Sequence, residues 1–596
     1  MRLFKYTGAL LAAAIGVGAT SCTDLDETTF DRIDAGVYYQ DANSVKGAVA
    51  SIYASAASGF LEYFWYLNEF PADQIAWRTW NGGAWGYDEA AKFVLSSQTW
   101  NSESVIIRQA WEHAWETIGL CNTLIVDLEK LSPDAVGMTE AELRNCIAEV
   151  RTMRAWAYYN NFELWGGALP LCTSNDGVVP GSASTDFNEG CKVIWKFIAD
   201  ELDGCYEDLT PEDGSGATRN RMNRGMNRML KMRLLLNSEV WTGTPRYDEC
   251  ATLARDIIDG DYGTYNIASD YREIYGINNS TCQEVVFAFA MEAGRMTNNN
   301  RNTPFLPYNY DEMFGFSCDQ GGWNCTCLVP SKDNTGTLVP NAGSADPKSF
   351  LFDYGDKLGA PFDRMSDSDI RKQPFTCDAA GNWQGIFAMG PQKNWSTGAD
   401  VLADADLQDK PLIYVDQVGT FLNLGRELEP VMSPRWGQTN SGYRVLRYPI
   451  YPESTGLDWR DADQVEFRLA EVYYTLAECK LRAGNAGEAK KLVNDVRQRY
   501  FAANPAALEQ PGPGFSAFDA DWMLSQWGLE FLDEGRRRRT DLRRFDKFTQ
   551  GQWWFFGRAT ETDRQLPARR ERKYEWYPLP QVALMVNPGL VQNPNY

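Results

Sequence analysis

The stretch from Arg468 to Tyr500 constrains the fold more than any other part of the chain. Leu469, Val472, Leu476, Cys479 and Ala483 recur at steps of three and four, which places them on one face of an α-helix. The turn residues Gly484-Asn485-Ala486-Gly487 follow, and Ala489, Leu492, Val493, Val496 and Tyr500 line a second helix. Neither helix can bury its apolar face alone, so the spacing predicts further helices stacked on this hairpin. A second strong pattern runs through Leu143, Ile147, Val150, Ala157, Tyr158 and Trp165, with Arg154 and Asn161 on the same face. It stops at Gly166-Gly167 and Pro170. The partner helices are expected at about 44–58, 103–131, 141–165 and 189–208.

The hairpin resembles a tetratricopeptide unit, whose repeat is about 34 residues. Between about 265 and 460 the pattern changes to Gly, Asn, Pro and Asp with short apolar patches. Glu284–Phe289 and Tyr443–Tyr448 read as short strands. The many aromatics in this region argue against disorder. After Pro511-Gly512-Pro513-Gly514, the segment Ser516 to Phe548 returns to helix. The expected class is mainly α. Residues 41–264 form an N-terminal helical region, and 265–596 form a C-terminal region. The latter divides into an irregular lobe (265–460) and the hairpin with the C-terminal segment (461–596).

The N-terminus has a different character. Met1-Arg2-Leu3-Phe4-Lys5 is positive, and an apolar run from Gly8 to Ala19 leads to Thr20-Ser21-Cys22. This is the layout of a secretory leader over 1–21, too short for a permanent membrane span. Ala19-Thr20-Ser21-Cys22 resembles a bacterial lipobox, which implies that Cys22 is lipidated and that 22–40 is a tether. At about 0.8 kcal/mol per buried methylene, two or three acyl chains hold without a transmembrane helix. The acidic start Thr23-Asp24-Leu25-Asp26-Glu27 resembles that of surface-displayed outer-membrane lipoproteins.

Composition excludes several chemistries. The net charge of −23 argues against nucleic acid as partner. The run Arg536-Arg537-Arg538-Arg539 sits among Asp533, Glu534 and Asp541 and is expected to be a solvated helix face. His113 is the only histidine, so a two-His metal site cannot form, and His113 reads as a packed or helix-surface residue. Asp363, Asp367 and Asp369 lack the glycine and terminal Glu of an EF-hand and read as a solvated loop. No phosphate-binding glycine loop or dinucleotide fingerprint is present. No cofactor or metal is expected. Paired carboxylates could still serve a glycoside hydrolase. Of the 13 cysteines, Cys318, Cys325 and Cys327 lie close enough in sequence for a local bridge, with buried free thiols as the alternative.

Several segments together resemble the SusD/RagB family of surface nutrient-binding lipoproteins. They are Arg151, Arg154 and Tyr158 leading to Trp165-Gly166 and Pro170-Leu171, then Asp369-Ile370-Arg371 and Arg468-Leu469-Ala470-Glu471. Val493–Arg497, Glu530, Glu534-Gly535-Arg536 and Asp541–Arg544 follow, and the chain closes on Tyr577-Pro578-Leu579-Pro580 and Asn587-Pro588-Gly589. Gln526-Trp527 stand where the family usually has Glu-Arg, which puts one local salt bridge in doubt. The motif arginines and acids are expected to lock the scaffold. The resemblance implies a right-handed, tetratricopeptide-like superhelix cradling the irregular lobe. It also implies an outer-membrane, surface-exposed binding protein without catalytic activity. Such a protein hands oligosaccharide, or in some members peptide, to a SusC-like TonB-dependent transporter.

No family motif marks the ligand site, so candidates rest on residue chemistry. Sugars are held by aromatic rings stacked on their C–H faces and by polar groups at the hydroxyl rim. The run from Trp77 to Asp88 concentrates Trp77, Arg78, Trp80, Asn81, Trp85, Tyr87 and Asp88 around a glycine pair, and reads as an exposed loop presenting rings. Tyr308, Tyr310 and Trp323 form a second candidate, beside Phe305, Phe314, Phe316 and Asn324. Trp383, Trp395 and Trp436 are weaker candidates, whereas Trp111, Trp115, Trp156 and Trp165 are expected to pack.

Overall fold

A computed structural model describes residues 38–80, 85–86, 91–174, 177–178, 180–296, 302–318, 321–329, 358–416, 438–535, 537–551 and 571–596. Cys22, Asn81, Tyr87, Asp88, Trp436 and Arg536 lie outside these, as does the expected leader. The architecture is mainly α, with short strands. The helices that matter below are α1 (Ala42–Phe60), α2 (Tyr63–Glu69), α3 (Val105–Leu128), α4 (Glu140–Trp165), α5 (Phe187–Cys205) and α6 (Arg224–Leu236). They continue with α7 (Tyr247–Asp259), α8 (Leu469–Arg482), α9 (Ala486–Arg497), α10 (Ala520–Glu530), α11 (Arg538–Arg544) and α12 (Gln581–Val586).

Each long helix packs on the next. α1 lies on α3, α3 on α4, α4 on α5, α5 on α6, α6 on α7, α7 on α8 and α8 on α9. The contact of α7 with α8 bypasses the segment between them, so the irregular lobe is inserted into a continuous helical stack. Its ends are tied together where β2 (Val285–Phe289) pairs antiparallel with β4 (Gln464–Arg468), in the register Gln464 to Phe289 and Arg468 to Val285. Two further strands, β1 (Ile75–Trp77) and β3 (Thr326–Leu328), join the N-terminal region to the lobe.

Local chemistry explains the helix limits. Thr139 and Glu142 cap α4 reciprocally, and Asn485 accepts the Glu488 N–H to start α9. From Ala148 to Trp165 only Arg151 is not buried, so α4 is the central rod of the stack rather than a one-striped surface helix. It ends where Gly167 touches α5: a Cβ there would lie 1.9 Å from the Phe187 carbonyl oxygen.

The interior carries an unusual amount of charge. Arg468 bonds Glu284 at 2.8 Å, Glu530 at 2.9 Å and Glu534 at 2.7 Å, and Arg499 reaches Glu284 and Glu530. Arg154 meets Glu201 at 2.5 Å and Asn122 at 2.9 Å. The arginine run corrects the expectation of a solvated face. Arg538 and Arg539 are buried and Arg537 nearly so. Arg538 forks onto Asp73 at 2.6 and 2.8 Å, Arg537 pairs with Glu471 and Asp541, and Arg539 donates to the Glu163 carbonyl. A fork of parallel N–H donors suits a buried carboxylate in a way that lysine cannot. Asp369 is a second correction: Asp363 and Asp367 are exposed, but Asp369 is buried under a bidentate bond from Arg371. Trp527, at the position that departs from the family pattern, donates its indole N–H to Glu478 at 2.7 Å.

His113 stacks on Tyr63 at 5.1 Å. Cys318, Cys325 and Cys327 are buried thiols that form no disulfide. Among the described residues, no helix is long and apolar enough to cross a membrane, and no cluster of three acidic, His or Cys side chains could hold a metal.

Candidate ligand-binding site

The two candidate segments, about 220 residues apart in sequence, meet in one place. β1 and β3 pair so that Ile75 faces Leu328 and Trp77 faces Thr326. Arg78 N–H continues the ladder to the Cys325 carbonyl at 2.7 Å. Beyond it, the Trp80 indole N–H donates to the Trp323 carbonyl at 3.2 Å. Trp80 and Trp85 form a narrow antiparallel bridge with their rings stacked at 5.9 Å and 22°. Trp77 donates its indole N–H to the Gly86 carbonyl at 2.7 Å. Gly86 has φ +75°, and a Cβ there would lie 2.7 Å from the Arg78 carbonyl oxygen and 2.8 Å from the Cys325 sulfur. Only glycine fits this crossing.

The structure corrects the reading of residues 77–80 as an exposed loop. Trp77, Arg78 and Trp80 are buried, because the β1–β3 pairing draws them under the surface. Of the rings described in that run, Trp85 reaches solvent, at 55% exposure. Trp323 is 45% exposed and Tyr308 71% exposed. Their two loops touch, since a Cβ on Gly322 would lie 2.0 Å from the Pro307 carbonyl oxygen. Tyr310 is half-buried and donates to the Cys318 carbonyl at 3.3 Å. Trp85, Trp323 and Tyr308 thus present their rings from neighbouring loops. Lys92 places its ammonium 4.7 Å from the Trp77 ring centre and 5.8 Å from that of Trp323.

Beneath the rings lies a polar clamp. Asn324 adopts φ +53°, a left-handed conformation that asparagine tolerates. Its carbonyl oxygen accepts from Arg78 at 2.7 Å and from Arg444 at 2.8 Å, and its amide donates to Thr439. Arg78 also donates to the Gln438 carbonyl at 3.1 Å. Thr439 in turn donates to Asp404 and Asp406. Burial lowers the pKa of Arg78, and burial together with its neighbour Arg78 brings Arg444 down to about 9. Neither Arg444, Thr439 nor Lys92 could be assigned to this site from sequence, since each arrives from a distant segment with no local motif.

Trp383 is buried and Trp395 packs on Phe314 at 4.7 Å, so both belong to the lobe's core. Trp111, Trp156 and Trp165 are buried in helical packing, and Trp115 packs edge-on against Tyr158.

Comparison with known proteins agrees with this architecture. The starch-binding protein SusD of Bacteroides thetaiotaomicron is 24% identical over 99% of this chain and 98% of its own length. A SusD-like protein of Bacteroides ovatus is 21% identical over 48% of this chain and 50% of its own length. Among solved structures, surface glycan-binding protein A from Bacteroides fluxus superposes with a TM-score of 0.61 at 15% identity, covering 93% of this chain and 99% of that one. The corresponding protein from Bacteroides uniformis gives 0.60 at 16% identity, covering 92% and 99%. The sequence model of the SusD family matches residues 283–596, which include the buried Arg468–Glu530 network, and the chain belongs to that family.

Proposed function

We propose that this chain is a cell-surface nutrient-binding lipoprotein, anchored in the outer membrane through Cys22, that captures oligosaccharide without cleaving it. It passes the cargo to a SusC-like TonB-dependent outer-membrane transporter. The observation that carries the reading is the exposure of Trp85, Trp323 and Tyr308 on neighbouring segments that are tied to the buried Arg78–Asn324–Arg444 clamp. Solvent-facing rings held by rigid backbone suit the apolar faces of sugar units. The names of the starch-binding and glycan-binding relatives support the same ligand class. A capture protein must also release, which corresponds to micromolar to millimolar affinity, about 4–8 kcal/mol.

Asp404 and Asp406 lie near the clamp and keep a hydrolase in view, but each commits an oxygen to Thr439. The test is calorimetry of the soluble chain from Thr23 against a panel of polysaccharides and peptides, with Trp85→Ala and Trp323→Ala and analysis of products. Each substitution is expected to cost about 1–2 kcal/mol, a 5- to 30-fold weakening, with the glycan left intact. Peptide binding, cleaved glycan, or affinity indifferent to both substitutions would refute the reading.

A further inference from the structure

A cleft of about 390 Å³ opens within the irregular lobe and shares no residue with the ring-bearing surface. Three segments wall it, and the first two are locked by their own hydrogen bonds. In the first, the Arg272 guanidinium forks onto Asp270 at 2.6 and 2.9 Å and donates to the Trp383 carbonyl at 2.9 Å. The buried Asn279 fixes the adjoining turn, donating to the Ile274 and Asp463 carbonyls at 3.0 and 2.8 Å. In the second, Asp378 accepts the Ala380 and Asn382 N–H groups at 2.9 Å each, which closes the hairpin between Thr376–Cys377 and Trp383–Gln384. Gly381 in that turn has φ +79°, and a Cβ there would lie 2.0 Å from the Tyr451 ring, so the turn rests directly on the third wall. Tyr451 is 9% exposed and lines the cleft, yet its hydroxyl has no hydrogen-bond partner among the described residues. Polar groups on buried side chains are normally satisfied, so a hydroxyl held open here marks a place for a ligand group.

We propose that this cleft is a second binding site, for a neutral polyhydroxylated molecule the size of a mono- or disaccharide. The inference adds a site to the reading above and does not depend on the ring-bearing surface. The chemistry of the lining selects the class. Arg272 is its one basic residue and is engaged by Asp270 and the Trp383 carbonyl, while Glu273 and the net charge of −23 repel an anion. Asp270 is neutralised by Arg272 in turn, and Glu273 alone is no ligand set for a metal cation. What remains is hydrogen bonding. Asn278, Thr281 and Asn382 place amide and hydroxyl groups at the exposed rim. Burial pushes the Tyr451 pKa up to about 12, so its hydroxyl stays protonated and can both donate and accept. Mixed donors and acceptors suit sugar hydroxyls, each of which gives and takes a hydrogen bond. The volume falls within the roughly 300–1,000 Å³ of small-molecule sites, and walls locked in advance reduce the ordering cost of binding.

The test is saturation-transfer NMR on the soluble chain from Thr23 carrying Trp85→Ala and Trp323→Ala, which disables the ring-bearing surface. The probes are glucose, galactose, N-acetylglucosamine and maltose, with trialanine as a contrast. At least one of the four sugars is expected to bind this chain. Adding Tyr451→Phe keeps the ring against Gly381 and removes only the hydroxyl, and should weaken that sugar about 3- to 10-fold. Adding Asn278→Trp puts a bulky side chain at an exposed rim position and should abolish binding, with circular dichroism confirming the fold. If none of the four sugars binds with both tryptophans replaced, the second site is overturned, whatever the unaltered chain does. A sugar whose affinity is indifferent to Tyr451→Phe and Asn278→Trp, or trialanine as the only probe bound, overturns it as well.

Discussion

Replacing Glu530 by glutamine removes one negative charge from a place where three arginines converge. Its carboxylate accepts from Arg468 at 2.9 Å, Arg499 at 2.8 Å and the Tyr500 hydroxyl at 3.0 Å, with Arg371 at 3.6 Å. Burial alone would raise its pKa, but Arg468, Arg499 and Arg371 hold it at about 2, against an ordinary 4.5. At about 1.4 kcal/mol per pKa unit, that shift is worth about 3 kcal/mol of folding free energy at neutral pH. This agrees with the roughly 3–5 kcal/mol lost when one partner of a buried pair is removed. The sign follows from the lowered pKa: the stabilisation is complete above about 4.5 and drains away as pH falls toward 2. Urea unfolding of both proteins at pH 7, 4 and 3 reads it directly. Glu530→Gln is expected to be about 3 kcal/mol less stable at pH 7, with the gap narrowing steadily below pH 4.5. A gap under about 1 kcal/mol at pH 7, or one unchanged at pH 3, would refute the argument.

Other perturbations separate support from contact. Trp77→Ala removes a buried ring and is expected to lower stability by about 3–5 kcal/mol in denaturant melts, unlike Trp85→Ala, which should barely move the midpoint. Gly86→Ala must displace the Arg78 carbonyl or the Cys325 sulfur, so calorimetry should show sugar affinity falling even though residue 86 carries no ring. Burial pushes the Glu163 carboxyl up to about 7, despite the Tyr159 hydroxyl bond and Arg233 and Arg543 nearby. Its raised pKa means that stability is lost as pH rises from about 4.5 through 7, so Glu163→Gln should gain about 3 kcal/mol over the unaltered chain at pH 8 and little at pH 5 in urea titrations.

The helices were legible because their signals are local. The apolar spacing from Leu469 to Val496 corresponds to α8 and α9, and the Gly166-Gly167 stop coincides with the end of α4. The arginine run shows where local reading fails. Four arginines beside acids look solvated, because sequence shows neighbours such as Asp541 but not Asp73, which is 465 positions from Arg538. The aromatic run shows the same limit at the site. Its composition flags a cluster of rings, yet which ring faces out is decided by the β1–β3 pairing, a contact between segments about 250 residues apart. Trp85 and Trp323 stay exposed while Trp77 and Trp80 go under, and no periodicity within the loop distinguishes them.

The clamp under the rings explains why two like charges are tolerated side by side. An exposed ring gains nothing from its own packing, so its position must be set by the backbone that carries it. Here that backbone belongs to three segments, around residues 78, 324 and 439; the first two run out of the β1–β3 pairing, and the third has no strand or helix in common with them. Asn324 joins all three through one side chain, accepting from Arg78 and Arg444 and donating to Thr439. Two donors on one amide oxygen force the guanidinium groups together, and burial with that proximity is what brings Arg444 to about 9. An apolar clamp would avoid this cost but would leave the carbonyls of Gln438, Thr439 and Ser441 without their arginine donors. Rigidity of the ring-bearing surface therefore depends on Asn324: its replacement by leucine, similar in size but unable to accept, would leave both guanidiniums short of an acceptor. That variant should lose ordering of all three loops at once, seen as faster amide exchange around residues 78, 324 and 439 together. Faster exchange confined to residue 324 would show that the loops are held independently.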